Sequence, residues 1–326
     1  MSLVFDAYVT SALFDAGGRL WFALGDGTVR DEHGASVAAH DDGAILCAAV
    51  HPSGEGIVTG GDDGRVVWSK ASGAQEVAAV KGRWIDCIDT SAASGLIAFG
   101  AGKDLHIRDV ADPAFAHSFA HERSVAAVAF EPKGRRVAAA TYNGAALWYA
   151  RIAEQKPTFL KWAGSHIALA WSPDAKFLIS SMQENQLHGW RIADAHDMRM
   201  GGYPAKVKSL AFFGSGMLMA SSGAQGAVVW PFAGNNGPMN KEAAEIGYDE
   251  TAMVVRVAAA PKGFVLVGGT EDGRVWAADV RHNKLAKIRE ERGAPITALA
   301  LSPAGDRIAW GDENGAAGVI QTPPLS

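Results

Sequence analysis

The segment SVAAVAFEPKGRRVAAATYNGAALWYA (124–150) decides the fold, because two turns divide it into three short apolar runs. The turns are EPKG (131–134) and YNG (142–144), whose Pro, Asn and Gly residues favour tight connections between strands. The runs are rich in alanine, valine and aromatic residues, and none sustains the 3.6-residue period of a helix. The segment therefore predicts an antiparallel unit of three strands.

The same three-strand template recurs along the chain. It fits the segments 45–68, 166–190 and 296–320, and a short apolar run such as QEVAAV (75–80) supplies a fourth strand between templates. Eight second turns occur at intervals of 37 to 47 residues, and their second residues are Asp26, Asp63, Lys103, Asn143, Asn185, Gln225, Asp272 and Asn314. A period of roughly 40 residues with four strands per unit predicts an all-β repeat protein.

These repeats resemble those of the WD40 family, and the resemblance covers essentially the whole chain. The first turns HPSG (51–54), SPDA (172–175) and SPAG (302–305) match the family's SPDG-like turn. Four tryptophans fall at the family's Trp position and are expected to pack between neighbouring blades: Trp68, Trp148, Trp190 and Trp230.

The repeats also depart from the family pattern. No repeat carries the full Trp-Asp pair, and the Gly-His pair before the first strand is missing, although His40 and His121 lie near its place. We therefore expect the family's hydrogen-bonded tetrad of His, Ser or Thr, Asp and Trp to be largely absent.

The resemblance implies an all-β fold, a β-propeller of WD40-like four-stranded blades that forms a single domain over residues 1–326. Eight templates favour eight blades, and seven, the family's commonest number, is the alternative. The last template leaves no room for its outer strand, and the strand-like SLVFD (2–6) is expected to complete it.

Composition and charge narrow the choice of partner. The net charge is −5, whereas non-specific nucleic-acid binding needs a basic surface. The N-terminus lacks the basic start of a signal peptide, and no apolar run approaches the length of a membrane span. We expect a cytoplasmic protein that binds neither nucleic acid nor membranes.

The search for chemistry leads to two cysteines, Cys47 and Cys87, which occupy the same template position in adjacent repeats. They are expected to be small buried side chains, and a metal or redox pair is the alternative. The charged residues near the central channel suggest an ion-paired plug rather than a catalytic site. We expect no catalytic residues, no metal site and no cofactor.

Family topology places several charged and aromatic loop residues on one face of the propeller, called the top. Tryptophan and arginine in loops are typical of interaction hot spots. The sequence thus predicts a protein-interaction scaffold or adaptor that docks partner proteins on this face. The alternatives are a small-molecule or metal binder or enzyme at the channel mouth, and a structural subunit of a larger assembly. The predicted docking residues are Arg83, Trp84, Asp86, Arg123, Trp162, Lys206, Lys208 and Arg256.

The longest connection, 232–250, is expected on the opposite face, where it could hold a short helix at KEAAE. Because it exceeds the repeat, replacing 233–247 with a short Gly-Ser turn is expected to cost little stability.

Overall fold

The structure, a computed structural model, describes residues 1–282 and 284–325. The chain divides into two compact units. The first unit is Leu13–Trp171, and the second unit is Met1–Ala12 together with Ser172–Ser326. The described residues form thirty β-strands and one 3-10 helix, so the prediction of an all-β fold is confirmed.

The first unit contains the fourteen strands from β3 to β16 and the last two residues of β2. Their bounds are β2 (Val9–Phe14), β3 (Leu20–Leu24), β4 (Thr28–Asp31), β5 (Ser36–Ala38), β6 (Ile45–Val50), β7 (Ile57–Gly61), β8 (Arg65–Lys70), β9 (Gly73–Ala79), β10 (Cys87–Ser91), β11 (Leu96–Ala101), β12 (Asp104–Asp109), β13 (Ala116–Ala120), β14 (Ala127–Phe130), β15 (Arg136–Tyr149) and β16 (Thr158–Trp171).

The second unit contains the remaining strands and the 3-10 helix Gly214–Gly216. The strands are β1 (Ser2–Val4), β17 (Phe177–Met182), β18 (Leu187–Arg191), β19 (His196–Met200), β20 (Leu210–Phe213), β21 (Leu218–Ser221), β22 (Ala227–Pro231), β23 (Ala244–Ile246), β24 (Val254–Ala259), β25 (Val265–Thr270), β26 (Val275–Asp279), β27 (Lys284–Arg289), β28 (Ile296–Leu301), β29 (Arg307–Asp312) and β30 (Ala316–Gln321).

Most of the sheets are meanders of four consecutive strands, as the repeat predicts: β2–β5, β6–β9, β10–β13, β20–β23 and β24–β27. A further sheet has the order β1-β30-β29-β28, with Ser2 opposite Gly318 and Val4 opposite Ala316. The N-terminal strand therefore completes the last blade, and this prediction is confirmed. It covers the edge of β30, which would otherwise expose unpaired backbone groups.

The favoured count of eight blades is wrong, because the described residues form seven hydrogen-bonded sheets, the alternative number. The template predicts separate strands on either side of YNG, but β15 runs through this turn for 14 residues with only a register shift between Tyr142 and Gly144. Strand β16 is equally long and serves both the fourth and the fifth repeat. The number of hydrogen-bonded sheets is consequently one fewer than the number of sequence repeats, which corresponds to seven blades.

The core of the first unit lies where neighbouring sheets pack face to face. Trp148 stacks on Phe119 of the preceding sheet, with ring centroids 4.4 Å apart. The consecutive alanines 138–140 are fully buried, as expected where sheets approach closely. Of the four tryptophans expected in the core, Trp148 and Trp190 are buried, whereas Trp68 and Trp230 are half-buried.

The connection 232–250 differs from its prediction, since it holds a strand and no helix. Strand β23 lies within it and pairs with β22 as the outer strand of its sheet. Phe232 is buried in the adjacent core, and Met239 packs against the same cluster. The connection therefore supplies the fourth strand of its repeat, and its additional residues lie between the end of β22 at Pro231 and the start of β23 at Ala244.

Candidate docking surface

The second repeat contains a hydrogen-bonded chain that the sequence analysis underestimated. His40 is buried, and its Nδ1 lies 3.0 Å from the Asp63 carboxylate, while its Nε2 lies 2.9 Å from the Thr59 hydroxyl. Trp68 does not complete a tetrad, because its indole Nε1 donates to the Glu55 carbonyl at 2.8 Å. Three of the four expected members are thus joined in this repeat, so the expectation that the tetrad is largely absent is wrong here.

A related chain in the sixth repeat uses a residue that sequence comparison missed. The Trp230 indole donates to the Tyr203 hydroxyl, which lies 2.6 Å from the Ser221 hydroxyl. Burial raises the pKa of Tyr203 to about 12, so the phenol stays protonated and can hold both partners. Tyr203 therefore occupies the place of the tetrad histidine between Trp230 and Ser221. A motif defined by a Gly-His pair cannot detect a tyrosine in this role.

The second turn of the second repeat, which contains Gly64, positions the loop 80–86. Gly64 has a φ of +82°, and a Cβ there would lie 2.5 Å from the Val80 carbonyl and 2.7 Å from the Arg83 carbonyl. Val80 N–H donates to the Gly64 carbonyl, and Ile85 N–H donates to the Gly61 carbonyl. The loop is consequently held at both ends against a turn that only glycine fits.

Trp84 lies between these two fixed ends and faces solvent. Its exposed fraction is 66%, and it is the one exposed residue among the ten tryptophans, all of which lie in the described part of the chain. Its indole makes no hydrogen bond or ring contact with another described residue. An unused indole beside a rigid loop is suited to contact a partner.

Arg83 is exposed beside Trp84, and its side chain crosses the backbone of Gly102. A Cβ on Gly102 would lie 3.4 Å from Cδ and 3.8 Å from Cζ of Arg83. The guanidinium has no hydrogen-bond or ion-pair partner among the described residues. These two residues border an open cleft of about 330 Å³, the Trp84 cleft, lined also by Gly82, Asp86, Gly102 and Ser124.

A second cleft of about 330 Å³ is lined by Arg123, and the next residue in the chain, Ser124, lines the Trp84 cleft. We call it the Tyr142 cleft. It has aromatic walls, with Tyr142 53% and Phe159 41% exposed. Its lining includes His121, Glu122, Arg123, Tyr142, Trp148 and Phe159.

The Tyr142 cleft is held in shape by His121. The Trp148 indole donates to His121 Nε2 at 3.0 Å, and His121 Nδ1 lies 3.2 Å from the Lys103 carbonyl. This arrangement requires the neutral ring with its proton on Nδ1, and burial lowers the pKa of His121 accordingly. The sequence analysis singled out neither residue as part of the docking surface: Tyr142 was placed in the turn YNG, and Phe159 was not assigned.

The eight predicted docking residues do not form one cleft. The structure brings Arg83, Trp84 and Asp86 together, and it places Arg123 in the Tyr142 cleft. Trp162, in the same unit, is half-buried and lines neither cleft, and its carbonyl is 3.0 Å from His166 Nε2.

The other three predicted residues belong to the second unit. Lys206 is half-buried and Lys208 is exposed. Arg256 is half-buried and donates to the Thr297 carbonyl at 2.8 Å and to the Val255 carbonyl at 3.0 Å. Burial lowers the pKa of Arg256, whose guanidinium donates to these two backbone carbonyls. The expected ion-paired plug therefore has no ion pair at Arg256 within the described residues.

The two cysteines make equivalent contacts, as their shared template position predicts. The Cys47 thiol donates to the Ile85 carbonyl at 3.2 Å, and the Cys87 thiol lies 3.9 Å from the Val125 carbonyl. Burial raises the pKa of both thiols, that of Cys87 to about 12, so neither forms the reactive thiolate. The geometry favours the interpretation of Cys47 and Cys87 as small side chains facing the interior over that of a metal or redox pair.

The described residues contain no group of three or more His, Cys, Asp or Glu side chains placed to hold a metal ion. Among the same residues, no helix has the length and apolar character needed to cross a membrane.

Comparison with known proteins identifies the repeat. Residues 32–68 match the family model described as WD domain, G-beta repeat. No curated protein matches the chain in sequence. The crystal structure of the computationally designed Ika8 protein is similar in fold, with a TM-score of 0.78 over 98% of both chains at 17% identity. The matched segment is the repeat that joins His40, Thr59 and Asp63. Together with the four-stranded antiparallel sheets, this match supports the WD40-repeat propeller that the sequence predicts.

Proposed function

We propose that this protein is a non-catalytic scaffold that docks one or more partner proteins on the first unit. The docking surface consists of Arg83, Trp84 and Asp86 in the Trp84 cleft and Arg123 in the Tyr142 cleft. The observation that carries the proposal is Trp84, which is 66% exposed with no side-chain partner among the described residues. Trp and Arg are enriched among residues whose truncation weakens a protein interface most.

The general behaviour of the fold supports the proposal, since WD40 propellers commonly serve as interaction scaffolds. The chemistry of the site points the same way. A guanidinium and an indole give a large contact area and charge-assisted hydrogen bonds, while the open shape of the cleft suits a protein surface better than an enclosed small molecule.

The test is capture of partners from a lysate of the source cell with the wild-type protein and with two double variants. Trp84→Ala with Arg83→Ala removes the centre of the docking surface. Tyr149→Ala with Arg135→Ala is a matched control, because both residues are exposed in the same unit and line neither cleft. Circular dichroism establishes that all three proteins are folded.

The expected result is that the Trp84/Arg83 variant loses its partners and the control variant keeps them. Truncation of a hot-spot residue costs about 2 kcal/mol or more, which is roughly a thirtyfold loss of affinity. Retention of every partner by the folded Trp84/Arg83 variant would show that docking occurs elsewhere.

A further inference from the structure

Three exposed asparagines of the chain precede a glycine, and such a pair of residues can react with itself. They are Asn143, Asn236 and Asn314, and each is followed by a buried glycine. The glycine nitrogen can attack Cγ of the asparagine side chain, because glycine has no Cβ to obstruct the approach. A nucleophile held next to its target reacts far faster than one in solution. The three sites share the reacting pair and its exposure, and they differ in how the fold holds the amide.

Strand pairing holds the amide of Gly144. This glycine lies within β15 opposite Lys161 of β16, and a Cβ there would overlap the Leu160 carbonyl oxygen, so the two backbones are in close contact. Ring formation requires the Gly144 nitrogen to turn toward the Asn143 side chain. That rotation would disrupt the pairing of the two longest strands, so the fold opposes the reaction at this site.

The carboxylate and carbonyl of Asp312 hold the second site. Gly315 N–H donates to the Asp312 carbonyl at 3.3 Å. The Asp312 carboxylate accepts hydrogen bonds from the backbone N–H groups of Asn314 and Ala316, at 3.0 and 2.9 Å. The amides on both sides of Gly315 are thus fixed, and its own N–H is occupied. The fold therefore opposes ring formation here as well.

The amide of Gly237 is not restrained in this way. It lies in a turn between β22 and β23, and its N–H donates no hydrogen bond to any residue that the structure describes. The nitrogen can therefore turn toward the Asn236 side chain without breaking a hydrogen bond of its own. Of the three sites, this one offers the least resistance to ring formation.

Arg191 contacts the oxygen on which charge develops during the reaction. Its Nη1 donates to Asn236 Oδ1 at 3.0 Å. Attack on Cγ moves negative charge onto this oxygen, and a charged donor already aimed at it stabilises the transition state. The guanidinium is itself held by Asp194, whose carboxylate accepts from Nε at 2.9 Å and from Nη2 at 2.6 Å. By contrast, Asn143 Oδ1 accepts from the neutral backbone N–H of Gly164 at 3.3 Å.

We propose that Asn236 is a site of spontaneous modification, where the side chain cyclises with the Gly237 amide and is converted to aspartate and isoaspartate. The Gly237 nitrogen forms a bond to Asn236 Cγ, the Cγ–Nδ2 bond breaks, and ammonia leaves with the proton that the nitrogen gives up. Water then opens the five-membered imide ring at one of its two carbonyls, which gives aspartate or isoaspartate. Water is the one reactant that the protein does not supply, and the reaction is independent of docking on the first unit.

The modification changes both the charge and the backbone beside Arg191. Each product replaces a neutral amide with a carboxylate, which competes with Asp194 for the guanidinium. Isoaspartate also adds one atom to the backbone next to Gly237. A Cβ on this glycine would lie 3.0 Å from Met198 Sδ and 3.4 Å from Phe177 Cε1, so the lengthened backbone would press on the core. We therefore expect the isoaspartate form to be the less stable product.

The experiment follows all three sites in the folded protein during incubation in a mildly alkaline buffer. Trypsin releases each site on a separate peptide, 137–151, 209–241 or 308–326, because cleavage follows Lys and Arg. Mass spectrometry after chromatographic separation measures the fraction of each peptide in which an amide has become a carboxylate. The same three peptides, synthesised and incubated alone, give the rates that the sequence has without the fold.

Three variants assign the signal and its cause. Asn236→Ala must remove the mass change from peptide 209–241, which carries other asparagines. Arg191→Ala removes the charged donor to the reacting amide. Arg199→Ala is the matched control, an exposed arginine on the neighbouring strand that donates to Gln186 Oε1 at 3.0 Å. Circular dichroism establishes that each variant is folded.

With each rate divided by that of its synthetic peptide, Asn236 should react about fivefold faster than Asn143 and Asn314, the effect of one hydrogen bond. Arg191→Ala should slow the reaction at Asn236 by a similar factor, and Arg199→Ala should leave it unchanged. The comparison of the three sites in the wild type requires no variant. An unmodified Asn236, an equal relative rate at either other site, or an unchanged or faster rate in folded Arg191→Ala would each overturn the proposal.

Discussion

Trp84 is exposed because its neighbour Ile85 is buried. Successive side chains of an extended segment point in opposite directions, so the Ile85 side chain that fills the core sends that of Trp84 outward. The alternation continues with exposed Asp86 and buried Cys87. The same periodicity that builds the core therefore creates the docking surface at the residue scale.

Asp89 gives a prediction at this scale. Burial raises its pKa to about 6, although its carboxylate accepts a hydrogen bond from Phe130 N–H at 2.7 Å. A carboxyl whose pKa is higher in the folded state stabilises the fold at low pH, and this contribution is lost as the pH rises from about 4 to about 6. Asp89→Asn keeps an acceptor for Phe130 and removes the titration.

The measurement is the free energy of unfolding of both proteins in urea at several pH values between 3.5 and 7.5. We expect the variant to gain on the order of 2 kcal/mol relative to the wild type between about pH 4 and pH 6. All other titrating groups are shared and cancel in this difference. A difference that stays constant over the whole range would mean that Asp89 is not desolvated.

At the scale of the element, turns explain both the success and the failure of the strand assignments. The turn with Gly64 ends one strand and begins the next, as its sequence predicts. The turn YNG has the same composition, yet strand pairing continues past it with a shifted register. Turn composition locates a bend, but whether pairing stops there depends on the neighbouring strand, here the long β16.

The connection 232–250 gives a prediction at this scale that reverses the one from its length. Replacing 233–247 with a Gly-Ser turn would remove strand β23 and the packing of Met239 on the core. We expect the free energy of unfolding to fall by about 2–5 kcal/mol, the range for losing a large buried side chain. Thermal unfolding followed by circular dichroism measures the effect.

The control for this deletion is Asn235→Ala, at an exposed position of the same connection. We expect it to change the stability by less than about 0.5 kcal/mol, as is usual for surface substitutions. An unfolding midpoint of the shortened protein equal to that of the wild type would show that the connection is expendable decoration.

At the scale of the whole molecule, periodicity predicted far more than motif matching. The 37- to 47-residue spacing predicted the four-stranded sheets, and the missing outer strand predicted the role of Ser2–Val4. The blade count failed because β16 is shared by two repeats. The hydrogen-bonded chain through Tyr203 was missed because a phenol replaces the imidazole of the motif.

The docking surface was only partly predictable for a physical reason. Loop residues such as Arg83 and Trp84 can be recognised, because their side chains interrupt the apolar pattern around them. Tyr142 and Phe159 could not be recognised, because strands β15 and β16 run through both positions and their exposure depends on how the sheet is covered. The net charge of −5 likewise gives no sign that Arg83 and Arg123 lack ion-pair partners among the described residues.

The central claim, docking on the two clefts of the first unit, is tested most directly by hydrogen–deuterium exchange. The protein is measured alone and in complex with a captured partner. We predict slower exchange in residues 81–86 and 121–125, which carry Arg83, Trp84 and Arg123, and no change at 232–250. Protection confined to 232–250, with unchanged exchange at 81–86 and 121–125, would contradict the account.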